Sequence, residues 1–126
     1  MIRYLDTQVM VWLCQKQLEK LSQRAVAAIE DSELRISPMV LLELEYLHET
    51  KRIIPPPQAL LHQLESQIGL QLCDHPFPAI VETALYETWT RDPFDRVIVA
   101  HARSNGYAPL VTSDAKIRAN YPNAVW

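Results

Sequence analysis

Ile2-Arg3-Tyr4-Leu5-Asp6 is a short, mostly apolar run that ends on an acid, and Leu110-Val111-Thr112-Ser113-Asp114 repeats the pattern near the far end of the chain. Each reads as a short buried strand. In an open parallel α/β sheet the carboxyl ends of the strands line the crevice where ligands bind. Acids at two such ends are therefore expected to face one crevice.

The residues between these runs alternate in character. Strand 2–6 leads into a helix from about Thr7 to Gln17, with Thr7 as its N-cap. A second helix, Ser22 to Asp31, carries Ala25, Val26, Ala28 and Ile29. Leu34-Arg35-Ile36-Ser37 is a short strand, and Ser37-Pro38 opens a helix to about Thr50, with Ser as cap and Pro at the first helical position. Pro55-Pro56-Pro57 is a rigid break, not a domain boundary, because too little chain follows for a second core. A helix at 58–67, a strand Leu70-Gln71-Leu72-Cys73 and helices at 78–88 and 93–105 come next, the last stopped by Asn105-Gly106. The Leu110 strand, a short helix after Asp114 and a strand Ala124-Val125-Trp126 complete the series. Strands alternating with helices predict a parallel sheet covered on both faces.

Two further acids fall where this fold would bring them to the same crevice. Glu43 has Met39, Val40, Tyr46 and Leu47 as its neighbours three and four positions away, so it is expected inside a core-facing stripe. An unpaired carboxylate there is costly, and a metal or a buried basic partner is needed to hold it. In Arg91-Asp92-Pro93-Phe94-Asp95-Arg96, Asp92 has the signature of an N-cap and Asp95 falls in the first turn. Asp6, Asp95 and Asp114 each also have a purely structural reading, as caps or first-turn acids favoured by the helix dipole. Together with Glu43 they read as a site. Clustered carboxylates raise one another's pKa unless a cation neutralises them, and hard oxygen ligands suit Mg²⁺ or Mn²⁺.

Composition narrows the alternatives. At 126 residues the chain is expected to form one domain, 1–126. A net charge of −3 argues against non-specific coating of nucleic acid, while leaving room for local cations: Arg91, Arg96, Arg103, Lys116 and Arg118 lie near the acids, each more simply read as a solvated helix residue. No membrane-length apolar run or signal-peptide pattern is present, so a cytoplasmic location is expected. Cys14 and Cys73 form no CxxC pair, which argues against thiolate zinc, and His48, His62, His75 and His101 have no ligand spacing. A phosphoryl-receiver domain needs a mid-chain Asp, yet none occurs between Asp31 and Asp74; a haloacid-dehalogenase-type phosphatase needs Asp where Gln8 stands.

Leu5-Asp6-Thr7, Ser37-Pro38 leading to Glu43, Asp92-Pro93-Phe94-Asp95-Arg96 followed by Ile98-Val99-Ala100-His101-Ala102, and Val111-Thr112-Ser113-Asp114 occur in the order found in PIN-domain nucleases. The chain resembles in particular the VapC-type toxins of bacterial and archaeal toxin–antitoxin pairs. The resemblance spans essentially the whole chain. It implies a PIN-like three-layer α/β/α sandwich with a central parallel sheet, and an acidic pocket for one or two Mg²⁺ or Mn²⁺ ions. It also implies endoribonuclease action on RNA, restraint by a cognate VapB-like antitoxin, and a chain able to form a homodimer. Asp6, Glu43, Asp95 and Asp114 carry over as the acidic quartet, with Asp92 an adjacent acid and Thr112 a hydroxyl beside the last acid. Gln8 departs from the Asn or His that many relatives have after the Asp-Thr pair. A PIN-like RNA-binding or regulatory module without catalysis is the alternative.

Overall fold

A computed structural model describes residues 1–126. Five strands, β1 (Ile2–Leu5), β2 (Glu33–Ile36), β3 (Gln71–Leu72), β4 (Leu110–Val111) and β5 (Ala124–Val125), form one sheet in the order β3-β2-β1-β4-β5. Every pairing is parallel. Seven α-helices connect them: α1 (Thr7–Cys14), α2 (Gln23–Glu30), α3 (Pro38–Glu49), α4 (Pro57–Ile68), α5 (Phe77–Ala84), α6 (Pro93–Ser104) and α7 (Ala115–Asn120). The result is the expected α/β/α sandwich. No helix is long and apolar enough to cross a membrane.

The strand order creates the crevice. From β1 the chain steps outward through β2 to β3, then returns to the other side of β1 as β4. Loops on either side of the β1/β4 pair therefore leave in opposite directions, which opens a gap above the carboxyl ends of those two strands. Pairing of Leu5 with Val111 fixes the register at the mouth of that gap. Asp6 and Thr112 are the next residue on each strand, so they stand side by side.

Burial explains why the register holds. Tyr4, Leu5, Leu34, Ile36, Leu110 and Val111 are all essentially buried. A one-residue slip would turn each strand's buried set to the opposite face. Against the sheet pack Val9, Met10, Val40, Leu44, Ile98 and Val99, in one core cluster. Each such side chain contributes roughly 1.5–3 kcal/mol by leaving water. From Val97 to Ala102 helix α6 is buried at every position, so its first turn, with Asp95, is anchored by a helix that cannot tilt freely.

Several boundaries differ from the sequence reading, most by a residue, and three of the differences matter to the site and its surroundings. Asp6, not Thr7, caps α1: its carboxylate accepts the Thr7 amide at 2.8 Å. Helix α1 ends at Cys14, three residues early, because Lys16 takes a left-handed φ of 56° and the Gln17 amide reaches back to the Trp12 carbonyl, a Schellman-type closure. Helix α5 ends at Ala84, where the Tyr86 and Glu87 amides bond three residues back and tighten the chain out of the α-helix. That turn carries Glu87 inward. Helix α4 extends one residue beyond the expected 58–67 at each end, with Pro57 in its first turn and Gly69 closing it at a φ of 68°, a conformation that favours glycine.

Candidate metal centre

Asp6, Glu43, Asp95 and Asp114 line one cleft of about 290 Å³, together with Thr7, Gln8, Leu47 and Ser113. Each acid reaches it from a different element. Asp6 closes β1 and begins α1; Glu43 projects from the second turn of α3; Asp95 lies in the first turn of α6; Asp114 caps α7.

Two threonines tie the acids together. The Thr112 hydroxyl donates to Asp6 Oδ2 at 2.7 Å and accepts the Asp114 amide at 3.0 Å. It thereby links the ends of β1 and β4. Thr7, freed from capping, turns its hydroxyl to donate to Glu43 Oε1. Asp6 Oδ1 takes the Thr7 amide and Asp114 Oδ1 takes the amides of Lys116 and Ile117, both at 2.9 Å. Asp95 is different. No donor in the chain reaches its carboxylate, although the residue is half-buried.

The electrostatics follow from that arrangement. Burial pushes the Asp95 carboxyl up to about 7, with Asp92, Asp6, Asp114 and Glu43 adding repulsion in that order. Asp6, 8% exposed, is also raised, first by burial and then by Asp114 and Asp92, against the lowering pull of the Thr112 and Thr7 bonds. Glu43 is raised by burial ahead of Asp6, Asp92 and Asp114, against the bond from Thr7. No Lys, Arg or His forms an ion pair with any of the four. The basic partner that would make Glu43 structural is absent. Glu43 also lies at the edge of the buried stripe, not inside it, because Tyr46 stays 47% exposed while Val40 and Leu44 face the core.

The donor set fits a hard divalent cation: oxygen ligands only, at least one free oxygen on Glu43, Asp95 and Asp114, and no internal cation. As the side chains stand, no three of them converge tightly enough to hold one ion.

The basic residues divide differently. Arg103 pairs with Glu87 at 2.6 Å and lies over Tyr107 and Tyr121. Arg96 donates to the Thr90 carbonyl at 2.9 Å and Arg91 to the Thr88 carbonyl at 3.1 Å. All three brace the chain before or along α6, so they are structural but not the solvated helix residues expected from the sequence. Asp92 caps α6, accepting the Phe94 amide at 2.8 Å, and does not line the cleft. His101 is buried, with Nδ1 against the Val97 carbonyl at 3.1 Å, and burial lowers its pKa. Cys14 and Cys73 are unpaired. Leu47 was not singled out by the sequence; its signal is its place one turn beyond Glu43.

A family model described as the PIN domain matches residues 3–121. Among solved structures, the fold is similar to VapBC2 from Rickettsia felis bound to a DNA fragment from their promoter, with a TM-score of 0.63 and 23% identity over 98% of this chain and 96% of that one. It is also similar to a toxin–antitoxin complex from Klebsiella pneumoniae, at 0.66 and 19% over 98% and 96%. DNA-bound VapBC from Salmonella typhimurium gives 0.56 and 19% over 98% and 95%. At these identities the likeness is one of fold. No curated protein matches the sequence.

Proposed function

Because the chain belongs to the PIN domain family, we propose that residues 1–126 act as a single metal-dependent endoribonuclease unit, the toxin of a toxin–antitoxin pair. The observation that carries this reading is the cleft: four carboxylates from four elements, and no internal cation to balance them.

In this reading Asp6, Asp95 and Asp114 hold Mg²⁺ or Mn²⁺, and Glu43 either orients the attacking water or shares a second ion. A bound ion supplies acidification of water and neutralisation of the charge that develops on phosphoryl oxygens. The chain supplies position. Thr112 fixes Asp6 and the turn into α7 with one hydroxyl, and Thr7 aims Glu43. Buried α6 delivers Asp95 with no competing donor, which leaves both its oxygens for a ligand.

A cytoplasmic ribonuclease needs restraint in its own cell, and the structural neighbours are complexes of toxin with antitoxin or VapBC assemblies. The proposed partner is a small VapB-like antitoxin whose tail crosses apolar helix surface and places an Arg or Lys among Asp6, Glu43 and Asp95. Arg suits that task because its fork pairs with carboxylates. A homodimer belongs to the same proposal. Exposed Leu42 on α3, Phe77 and Val81 on α5, and Leu85 just after it offer apolar area for one.

Purified, partner-free chain should cleave RNA with Mg²⁺ or Mn²⁺ and stop in EDTA. Cleavage undiminished by chelator removes the metal-dependent reading. The other reading is a PIN-like RNA-binding or regulatory module without catalysis. RNA binding with no cleavage in either metal would establish that instead.

A further inference from the structure

We propose that Tyr46, Phe94 and Arg52 form a stacking subsite that seats one unpaired nucleobase of RNA beside the acidic cleft. The inference rests on the nuclease reading above and adds to it the side chains that would hold a base.

The two rings belong to the elements that bring Glu43 and Asp95 to the cleft. Tyr46 is three residues beyond Glu43, on the same side of α3 and about 4.5 Å further along its axis. Phe94 directly precedes Asp95 in the first turn of α6. Their ring centroids are 6.4 Å apart and the planes are tilted by 33°. The Arg52 guanidinium stands over the Tyr46 ring, 5.9 Å from its centroid. An aromatic pair with a cation over one ring therefore stands next in sequence to two residues that line the cleft, Tyr46 beside Leu47 and Phe94 beside Asp95.

Phe94 is partly buried against the core and fixes the lower edge of the pair, whereas packing does not account for Tyr46 or Arg52. Tyr46 is nearly half exposed and its hydroxyl makes no hydrogen bond within the chain. Arg52 is exposed and pairs with no acid. Arg91, Arg96 and Arg103 are bound to the chain itself, whereas Arg52 and its exposed neighbour Lys51 are free to meet a phosphate.

The cleft alone is a poor site for RNA, since carboxylates repel phosphates. Affinity has to come from its border. Base–aromatic stacking is tolerant of sequence and needs an unpaired base with a free face. A guanidinium beside the ring adds both a stacking plane and a counter-charge. An aromatic ring and free cations beside the acids fit a nucleotide better than the aliphatic side chain of a protein partner.

The test uses chain carrying Asp6→Asn, so that RNA is bound and not cut, with a short fluorescent unpaired RNA in Mg²⁺. Adding Tyr46→Ala should weaken binding about tenfold or more, while Tyr46→Phe should stay within about twofold. The same sequence presented as a duplex should not distinguish the three chains. Equal affinity of the alanine variant for unpaired RNA overturns the subsite and leaves the nuclease reading standing. A loss of equal size on the duplex also overturns it. A change confined to oligomeric state assigns the ring to a protein contact, again against the proposal. If the unsubstituted chain in Mg²⁺ neither binds nor cuts RNA, the nuclease reading falls and the subsite with it.

Discussion

Two groups of carboxylates in this molecule are treated in opposite ways. Glu87, 3% exposed, accepts from Arg103 Nε and Trp89 Nε1, each at 2.6 Å, so the fold itself provides the counter-charge and the donors. At the cleft four carboxylates share a crevice with hydroxyl and amide donors but no cation. A buried acid with an internal Arg is a fastening. Several acids without one repel one another, and in the proposed function a cation from outside would relieve that repulsion.

The comparison breaks most sharply on activity. Asp95→Asn or Asp6→Asn should lower RNA cleavage on the order of 10³-fold. The metal-free fold should be intact, or slightly more stable by relief of repulsion. Circular dichroism and thermal unfolding beside a cleavage assay check both halves. If either variant unfolds, these acids are fastenings like Glu87.

At the other group the effect should be on stability. Arg103→Ala leaves Glu87 buried without its partner and should cost about 3 kcal/mol, the low end for a broken buried pair because the arginine keeps 24% of its side chain exposed. Denaturant unfolding measures it. Cleavage per folded molecule should change little. A stable Arg103→Ala chain with lost cleavage would place this pair in the catalytic machinery.

Thr112→Val is the intermediate case. It keeps the shape but removes the donor to Asp6 and the acceptor of the Asp114 amide. Metal affinity or cleavage should fall about 10–100-fold, read by titration calorimetry and by initial rates. Unchanged metal affinity would show that Asp6 needs no orienting hydroxyl.

The smallest effect is that of pH on the metal-free chain. Asp95 titrates near 7 when folded and near 3.8 in the unfolded chain, so the folded form holds the extra proton between those values. Stability must then fall as pH rises through that window, and the raised Asp6 and Glu43 act with the same sign. After discounting for solvent screening, the effect should be on the order of 1 kcal/mol, roughly 5 °C in Tm between pH 5 and pH 8. Mg²⁺ or Asp95→Asn should flatten the slope. A metal-free Tm that rises with pH across this window would contradict it.

Much of the fold was legible because it rests on local signals. The apolar runs at 2–5 and 110–111, the Ser37-Pro38 and Asp92-Pro93 helix starts and the Asn105-Gly106 stop each carry their own backbone instruction. The four acids were legible for a related reason. Each sits at a strand end or on a helix turn that such signals locate.

Tertiary structure decided the rest. Residue types alone could not reveal that Asp6 displaces Thr7 as the cap, or that Thr7 then serves Glu43 across 36 positions of sequence. Whether an arginine is free or bound depends on what packs beside it. Arg103 meets Glu87 only because α5 ends early and turns that acid inward, whereas Arg52 meets an exposed ring. Strand order is likewise non-local. By itself the sequence determined the elements and the acids at their ends, through short-range backbone preference. Which of those ends meet, and which charges find partners, was settled only when long-range burial set β1 beside β4.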